Sequence, residues 1–348
     1  MTKPLAARRG TLAKVRRATF GLCVSAILAL AGCTHTEVTA QTPPPQPLSF
    51  IGEWGTRGGE PGQLSRPEWI STDPAGNVFV ADSGSGYIQK FDLTGHPLLA
   101  FDDRVPGDPF RVSVDAGGGI YVLGRNADAF FLFSPEGEPI RQYPLAPVKA
   151  HQRPVSLAAD DAGDVFVIVS VGGPSTQRAS ERREIRMYTA RGRYRKTLIP
   201  AYTAGAAFVP ASLTAGPDGH LYVLDTSASR VQKFTLDGDF VTAWNCAPPP
   251  AADGSQGTVP VSSSAEPGDA SPPGYGIGVT SKYVFTPDSG RRGVLAWTPD
   301  GQPRFGDLLG SRLQVGGGRF QIAASNRGEL LVLDVERTRV LRFHINNF

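Results

Sequence analysis

Apolar and polar residues alternate along most of this chain with a period of two, in short runs that stop at Gly, Pro, Asp or Asn. One set comprises residues 66–73, 76–82, 87–91 and 97–101; another comprises 217–225 and 230–234. Period-two runs bounded by turn residues predict strands joined by hairpins. A second regularity lies over the first. Phe91, Phe133, Tyr188, Phe234, Trp297 and Phe343 follow one another at intervals of 42, 55, 46, 63 and 46 residues. The first five are each followed four residues on by Gly95, Gly137, Gly192, Gly238 or Gly301, and the sixth by Asn347. Such self-similarity marks one supersecondary unit used repeatedly. Each unit holds four strands, so six units predict an all-β, six-bladed β-propeller of four-stranded blades.

Register supports this count. The glycine of the first hairpin precedes the third-strand aromatic by 15 residues in units one, two, four and six (Gly76, Gly118, Gly219, Gly328). In unit three the same interval, Gly163 to Tyr188, is 25 residues. Fourth strands end at Phe101, Tyr143 and Trp244, each six residues after the second hairpin glycine. Trp54 has the same role with no unit before it, while the chain stops soon after the third strand of unit six. The N-terminal strand, residues 50–54, is therefore expected to complete the last blade, which removes two open sheet edges. A seventh unit has no source, because residues 247–273 are poor in β-formers.

Units one and four closely resemble the NHL repeat of six-bladed propellers. The resemblance rests on Pro67-Glu68-Trp69-Ile70 through Phe101, on the preceding Phe50-Ile51-Gly52-Glu53-Trp54-Gly55 and Gly62-Gln63-Leu64, and on Asp218-Gly219-His220-Leu221-Tyr222 through Phe234. Units two, three and six match more weakly, and unit five keeps little beyond Leu295-Ala296-Trp297. The likeness spans residues 48–348 and implies a propeller without fixing its activity.

Ahead of the repeats stands a different kind of segment. Residues 1–19 hold six basic residues and no acid, and an apolar run follows from Phe20 to Leu30. That run is the length of a signal-peptide core and too short to span a bilayer comfortably. It ends Leu30-Ala31-Gly32-Cys33, which resembles the lipobox of bacterial lipoproteins. The resemblance implies a signal peptide over 1–32, lipidation of Cys33 and a membrane anchor; the alternative is an ordinary signal peptide that contains a cysteine. Thr34 stands where aspartate would signal retention in the inner membrane, so the outer membrane is the expected address, with the propeller in the periplasm or at the cell surface. Residues 33–47, rich in Thr, Gln and Pro, form an expected flexible tether. The propeller is assigned to 48–348, with a low-complexity insertion at 247–273.

Removing the leader changes the charge. The chain has 35 basic and 32 acidic residues, and without the leader's six basic residues 29 remain against 32. No global case for binding nucleic acid survives. Cys23 leaves with the leader and Cys33 is expected to be lipidated, so Cys246 stands alone, expected as a buried spectator.

Function is sought where repeats differ. Asp82, Asp225 and Asp334 recur once per unit, which suits turn hydrogen bonds rather than catalysis. Both large insertions, 170–183 and 245–274, fall on the face that carries the second-to-third-strand and blade-to-blade connections. The first insertion contributes Arg178, Arg182 and Arg183 as candidate binding residues. At the start of the innermost strands the aligned units place Trp69, Arg111, Ser156, Ser212, Gly276 and Gln321, with Arg66, Arg153 and Arg319 near the same level. Arginines beside a tryptophan can hold an anionic or sugar-like ligand; alternatively Glu68 and Asp108 pair with them to make a solvated rim.

Related propellers include peptide-amidating lyases, with histidine-held metal, and lactonases, with acidic and amide ligands. Of five histidines only His151 lies near the candidate face, and His96 and His220 are expected in turns on the opposite one. One histidine cannot make a three-ligand site, and no catalytic residue, metal ligand or cofactor is assigned. A carboxylate calcium site stays open, because its ligands need not be close in sequence. Two functions follow: a lipid-anchored binding or scaffold propeller for an envelope protein, peptide or glycan, or a metal-dependent lactonase- or lyase-like enzyme working in the channel mouth.

Overall fold

The computed structural model describes residues 48–102, 107–149, 151–172, 182–198, 208–246, 276–288, 293–305 and 319–346. Cys33, the leader, the tether, Arg178 and the 247–273 insertion lie outside them.

Twenty-four strands fill these segments. Strand β1 (Leu48–Trp54) is followed by blade one: β2 (Pro67–Thr72), β3 (Val78–Asp82), β4 (Tyr87–Phe91) and β5 (Pro97–Phe101). Blade two holds β6 (Pro109–Val114), β7 (Ile120–Gly124), β8 (Ala129–Phe133) and β9 (Pro139–Pro144). Blade three holds β10 (Arg153–Ala159), β11 (Val165–Val171), β12 (Arg182–Tyr188) and β13 (Tyr194–Leu198). Blade four holds β14 (Pro210–Ala215), β15 (His220–Asp225), β16 (Arg230–Thr235) and β17 (Phe240–Asn245). Blade five is reduced: β18 (Gly278–Val279), β19 (Val284–Asp288), β20 (Gly293–Trp297) and β21 (Pro303–Phe305). Blade six holds β22 (Phe320–Ser325), β23 (Glu329–Asp334) and β24 (Arg339–Ile345), and its fourth strand is β1.

All six sheets are four-stranded, antiparallel and sequential, as the alternation and turn spacing predict. Closure runs as the register required. Leu48 lies opposite Ile345, Phe50 opposite Phe343 and Trp54 opposite Val340. The core sits between blades: Ile70, Val78 and Phe91 of blade one share a cluster with Leu331, Leu333 and Val340 of blade six.

The phased aromatic–glycine pair has a mechanical reason. Phe91 and Tyr188 are buried on third strands, and the glycine of the following turn lies under the last large residue of the preceding blade's fourth strand. Trp54 of β1 lies over Gly95 and stacks on Phe91 with ring centroids 4.8 Å apart. At Gly192 (φ +68°) a Cβ would overlap the Tyr143 ring, so both the backbone angle and the space demand glycine. Each blade thus clasps the next, and Trp54 makes the clasp that joins the two ends of the ring.

Candidate binding face and central channel

Antiparallel order sends the first and third hairpins of every blade to one side. The β3–β4-type turns and the blade-to-blade connections emerge on the other. The described ends of both insertions, Gly172 and Arg182 for the first and Cys246 and Gly276 for the second, belong to this second, loop-rich face.

The recurrent aspartates act as structural caps. The Asp82 carboxylate accepts the backbone N–H groups of Ser65 and Arg66, each at 2.7 Å, which pins the entry into β2. Asp225 takes the Val209 N–H at 3.0 Å and the Ser227 hydroxyl at 2.6 Å, and Arg230 Nε donates to it at 2.9 Å. Asp334 accepts from the Arg337 N–H at 3.1 Å. Buried carboxylates need such donors. Asp288 holds the corresponding position in blade five, opposite the first residue of β20. The reading of the sequence missed it because unit five has lost its hairpin glycine. In blades two and three the position falls to Gly124 and Val169, opposite Pro109 and Pro154.

Trp69 and Arg111 come together as their alignment suggested, but they turn inward. The Arg111 guanidinium carbon lies 4.4 Å from the Trp69 ring centre and 4.7 Å from that of Phe110. Its Nη1 donates to the Phe110 carbonyl at 2.8 Å. Both side chains are buried, at 6% and 3% exposure, so this cation–π stack is part of the packing rather than an open platform. Four of the six inner strands carry a β-bulge immediately before this position, between Pro67 and Trp69, Pro109 and Arg111, Pro154 and Ser156, and Pro210 and Ser212. The bulge re-aims the side chain, and counting residues along the sequence gives register but not that direction.

Arg66 is exposed and belongs to a rim network. Its Nε donates to the Ser83 hydroxyl at 2.9 Å and lies 3.7 Å from Glu68, while its Nη2 lies 3.6 Å from Asp108. Arg125 closes the network on Glu68. Here the acids pair with the arginines. Arg153 and Arg319 are half-buried at the entrances of β10 and β22, on different parts of the ring. Arg183 Nη1 donates to the Pro210 carbonyl at 3.1 Å, tying blade three to blade four.

Blade three holds a charge cluster that the sequence did not suggest. Arg186 stands where blades one and four have Gln89 and Gln232, and it is completely buried. Its Nε donates to Glu184 at 2.9 Å, and its Nη1 donates to Gln152 Oε1 at 2.9 Å and the Leu145 carbonyl at 3.2 Å. Lys149 Nζ donates to both Glu184 oxygens, at 3.0 and 2.9 Å, and Arg182 Nη2 lies 3.4 Å from one of them. Burial alone would raise the Glu184 pKa, but hydrogen bonds and charge from Lys149 and Arg186 outweigh it and hold the group below the usual glutamate range. The one available signal was an arginine in a glutamine column of the repeat.

A cavity of about 280 Å³ follows the propeller axis. The Arg111–Trp69 stack lies at its loop-side end, and it runs to the first-hairpin turns at Asp73, Asp160 and Asp161. It therefore reaches the face opposite the insertions, where the sequence had placed a central mouth among the loops. Small residues such as Ser71, Ser113, Ala158, Thr214 and Gly278 line it. Two are tied up between blades: the Ala159 N–H donates to Ser113 Oγ at 2.9 Å, and Thr72 Oγ1 donates to the Ala324 carbonyl at 3.0 Å. Burial and the neighbouring Asp164 and Asp161 charges push the Asp160 pKa up, although two backbone N–H groups, of Asp164 and Ala162, hydrogen-bond it. Among the described residues no group of three or more His, Cys, Asp or Glu is placed to hold a metal.

Cys246 is buried as expected, and desolvation pushes its thiol up to about 12. Only the thiolate is nucleophilic. Iodoacetamide at neutral pH should therefore leave Cys246 unmodified in the folded protein and alkylate it in urea, as read by intact mass.

The six closed sheets and their repeated clasp define a six-bladed propeller, and the NHL repeat model matches residues 209–234. The chain is a six-bladed β-propeller whose fourth blade carries an NHL-repeat match. Among solved structures, a streptogramin B lyase superposes with a TM-score of 0.51 at 14% identity, over 86% of this chain and 98% of that one. A catalytically inactive histidine-to-alanine variant of virginiamycin B lyase from Staphylococcus aureus, with quinupristin, gives 0.52 at 12% identity, over 85% and 99%. This likeness is one of fold. No curated protein matches the sequence.

Proposed function

We propose that the protein is a lipid-anchored, extracytoplasmic binding propeller that presents its loop-rich face to an envelope protein, peptide or glycan. Cys33 carries the anchor and residues 34–47 the tether, and the outer membrane is the proposed address. One observation carries the reading. The rim arginine Arg66, the Lys149–Glu184–Arg182 cluster and the described ends of both insertions lie on a single face, while the axial cavity reaches the opposite face and has Ser113 and Thr72 of its lining already hydrogen-bonded between blades.

The test is in situ capture. Cross-linking the lipidated protein in its native envelope should recover a specific partner, and a variant lacking residues 172–182 should lose it. Recovery of the same partner by both forms would remove the insertion from the interface; no partner with either would contradict the reading.

A second reading, a metal-dependent lactonase- or lyase-like enzyme, is favoured by the fold shared with streptogramin B lyase across nearly all of that protein. Stoichiometric metal in the purified protein together with turnover of quinupristin or a simple lactone would favour it.

A further inference from the structure

The repeat's charge balance is broken in one sector of the loop-rich face. Blades one, four, five and six place a buried carboxylate at the end of their second strand: Asp82, Asp225, Asp288 and Asp334. In blades four and six it pairs with the arginine that opens the third strand, Arg230 at 2.8 Å and Arg339 at 3.3 Å. Blades two and three lack it, with Gly124 and Val169 instead. Among the described residues blade two has no buried carboxylate at this level, and in blade three it sits across the ladder, as Glu184 opposite Val169.

Cations gather in that sector. The described stretches 107–111, 124–128, 145–149, 151–153 and 182–186 contain seven Lys and Arg against three Asp and Glu. Arg66 and Glu68 of blade one join the same network and cancel each other. The best-defined part is Glu184, a single carboxylate that gathers Lys149 at 2.9 Å, Arg186 at 2.8 Å and Arg182 at 3.4 Å. One negative charge cannot neutralise three positive ones. Arg186 is consumed in the interior, but the Lys149 and Arg182 side chains are 33% and 72% exposed and so accessible on this face. Glu184 acts as a positioning residue that holds the two cationic heads at the base of the first insertion.

We propose that the sector shared by blades two and three binds a ligand carrying two or more phosphate groups, with Lys149 and Arg182 as direct contacts. Guanidinium forks match phosphate oxygens bidentately, and an ammonium beside them adds a compact charge. The chemistry is shared by a free oligophosphate and a phosphorylated lipid headgroup. This inference rests on the reading of the loop-rich face as the binding face.

The experiment uses residues 45–348, which hold all six sheets and the strand that closes the ring as one compact unit. Inorganic tripolyphosphate is titrated calorimetrically at low and at physiological salt. Binding is expected, weaker at higher salt, and weakened about tenfold or more by Lys149→Gln with Arg182→Gln, as loss of one or two charge-assisted contacts implies. Arg195→Gln, on the opposite face in a pair with Asp164 and Asp237, should leave it unchanged. If the double variant melts early, Arg182→Gln alone serves and should still weaken binding several-fold. No binding at low salt, indifference to Arg182→Gln, or equal sensitivity to Arg195→Gln would each overturn the proposal. Vesicles of phosphatidylcholine with and without phosphatidylglycerol identify the source: capture by the anionic vesicles, reversed by tripolyphosphate, assigns a headgroup, whereas tripolyphosphate binding without vesicle capture assigns a soluble ligand. Envelope capture that succeeds while tripolyphosphate fails would overturn the phosphate chemistry and leave the binding face standing.

Discussion

Replacing Glu184 with alanine is expected to lower the stability of the propeller by about 3–5 kcal/mol, the usual consequence of stripping the partner from a buried ion. Arg186 has no exposed surface, and its carboxylate contact at 2.8 Å would be gone. The amide oxygen of Gln152 and the Leu145 carbonyl would remain as acceptors, but neither carries charge. Replacing both Arg186 and Glu184 by apolar residues of similar volume should cost less than Glu184→Ala alone, because no uncompensated charge is left behind. Urea denaturation checks both. The same pair sets a pH dependence. The folded Glu184 pKa lies below the usual glutamate value, so its stabilisation is complete above that value and is lost as pH falls through the lowered one. Glu184→Gln should flatten the acid limb of the melting-temperature profile below the usual glutamate value of about 4.3. An unchanged acid limb would contradict this origin.

Trp54→Ala should have the next largest effect, about 2–4 kcal/mol, from lost packing and a partly uncollapsed cavity. Trp54 is half-buried, stacked on Phe91 and seated over Gly95. The size of the loss is less diagnostic than its place. Phe101, which stacks on Phe133 at 4.9 Å, makes the equivalent clasp within the continuous chain. Trp54 joins β1 of blade six to blade one, so its removal loosens the seam of the ring. Hydrogen exchange in β24, whose outer edge pairs with β1, should accelerate in Trp54→Ala more than in Phe101→Ala. Equal protection of β24 in both variants would mean that the seam is no weaker than any other junction.

The fold was legible because propeller packing depends on local, periodic features. Alternation, hairpin glycines and the aromatic at each third-strand end all lie within one unit, so Phe91 and Gly95 announce the same clasp as Tyr188 and Gly192. Ring closure was legible because Trp54 occupies a fourth-strand position without a blade of its own. The site was less so. Register placed Trp69 beside Arg111, yet the bulge that turns both inward is invisible in residue spacing. The Lys149–Glu184 contact spans a blade-to-blade connection, and neither residue departs from ordinary surface composition. Asp288 was hidden by the erosion of blade five.

The most direct measurement is face-resolved photo-cross-linking in the envelope, with a photoreactive amino acid at Arg182 on the loop-rich face or at Arg195 on the opposite one. The predicted result is a discrete adduct from position 182 and none from position 195. Adducts from position 195 alone, or the same adducts from both, would contradict a binding role for the loop-rich face.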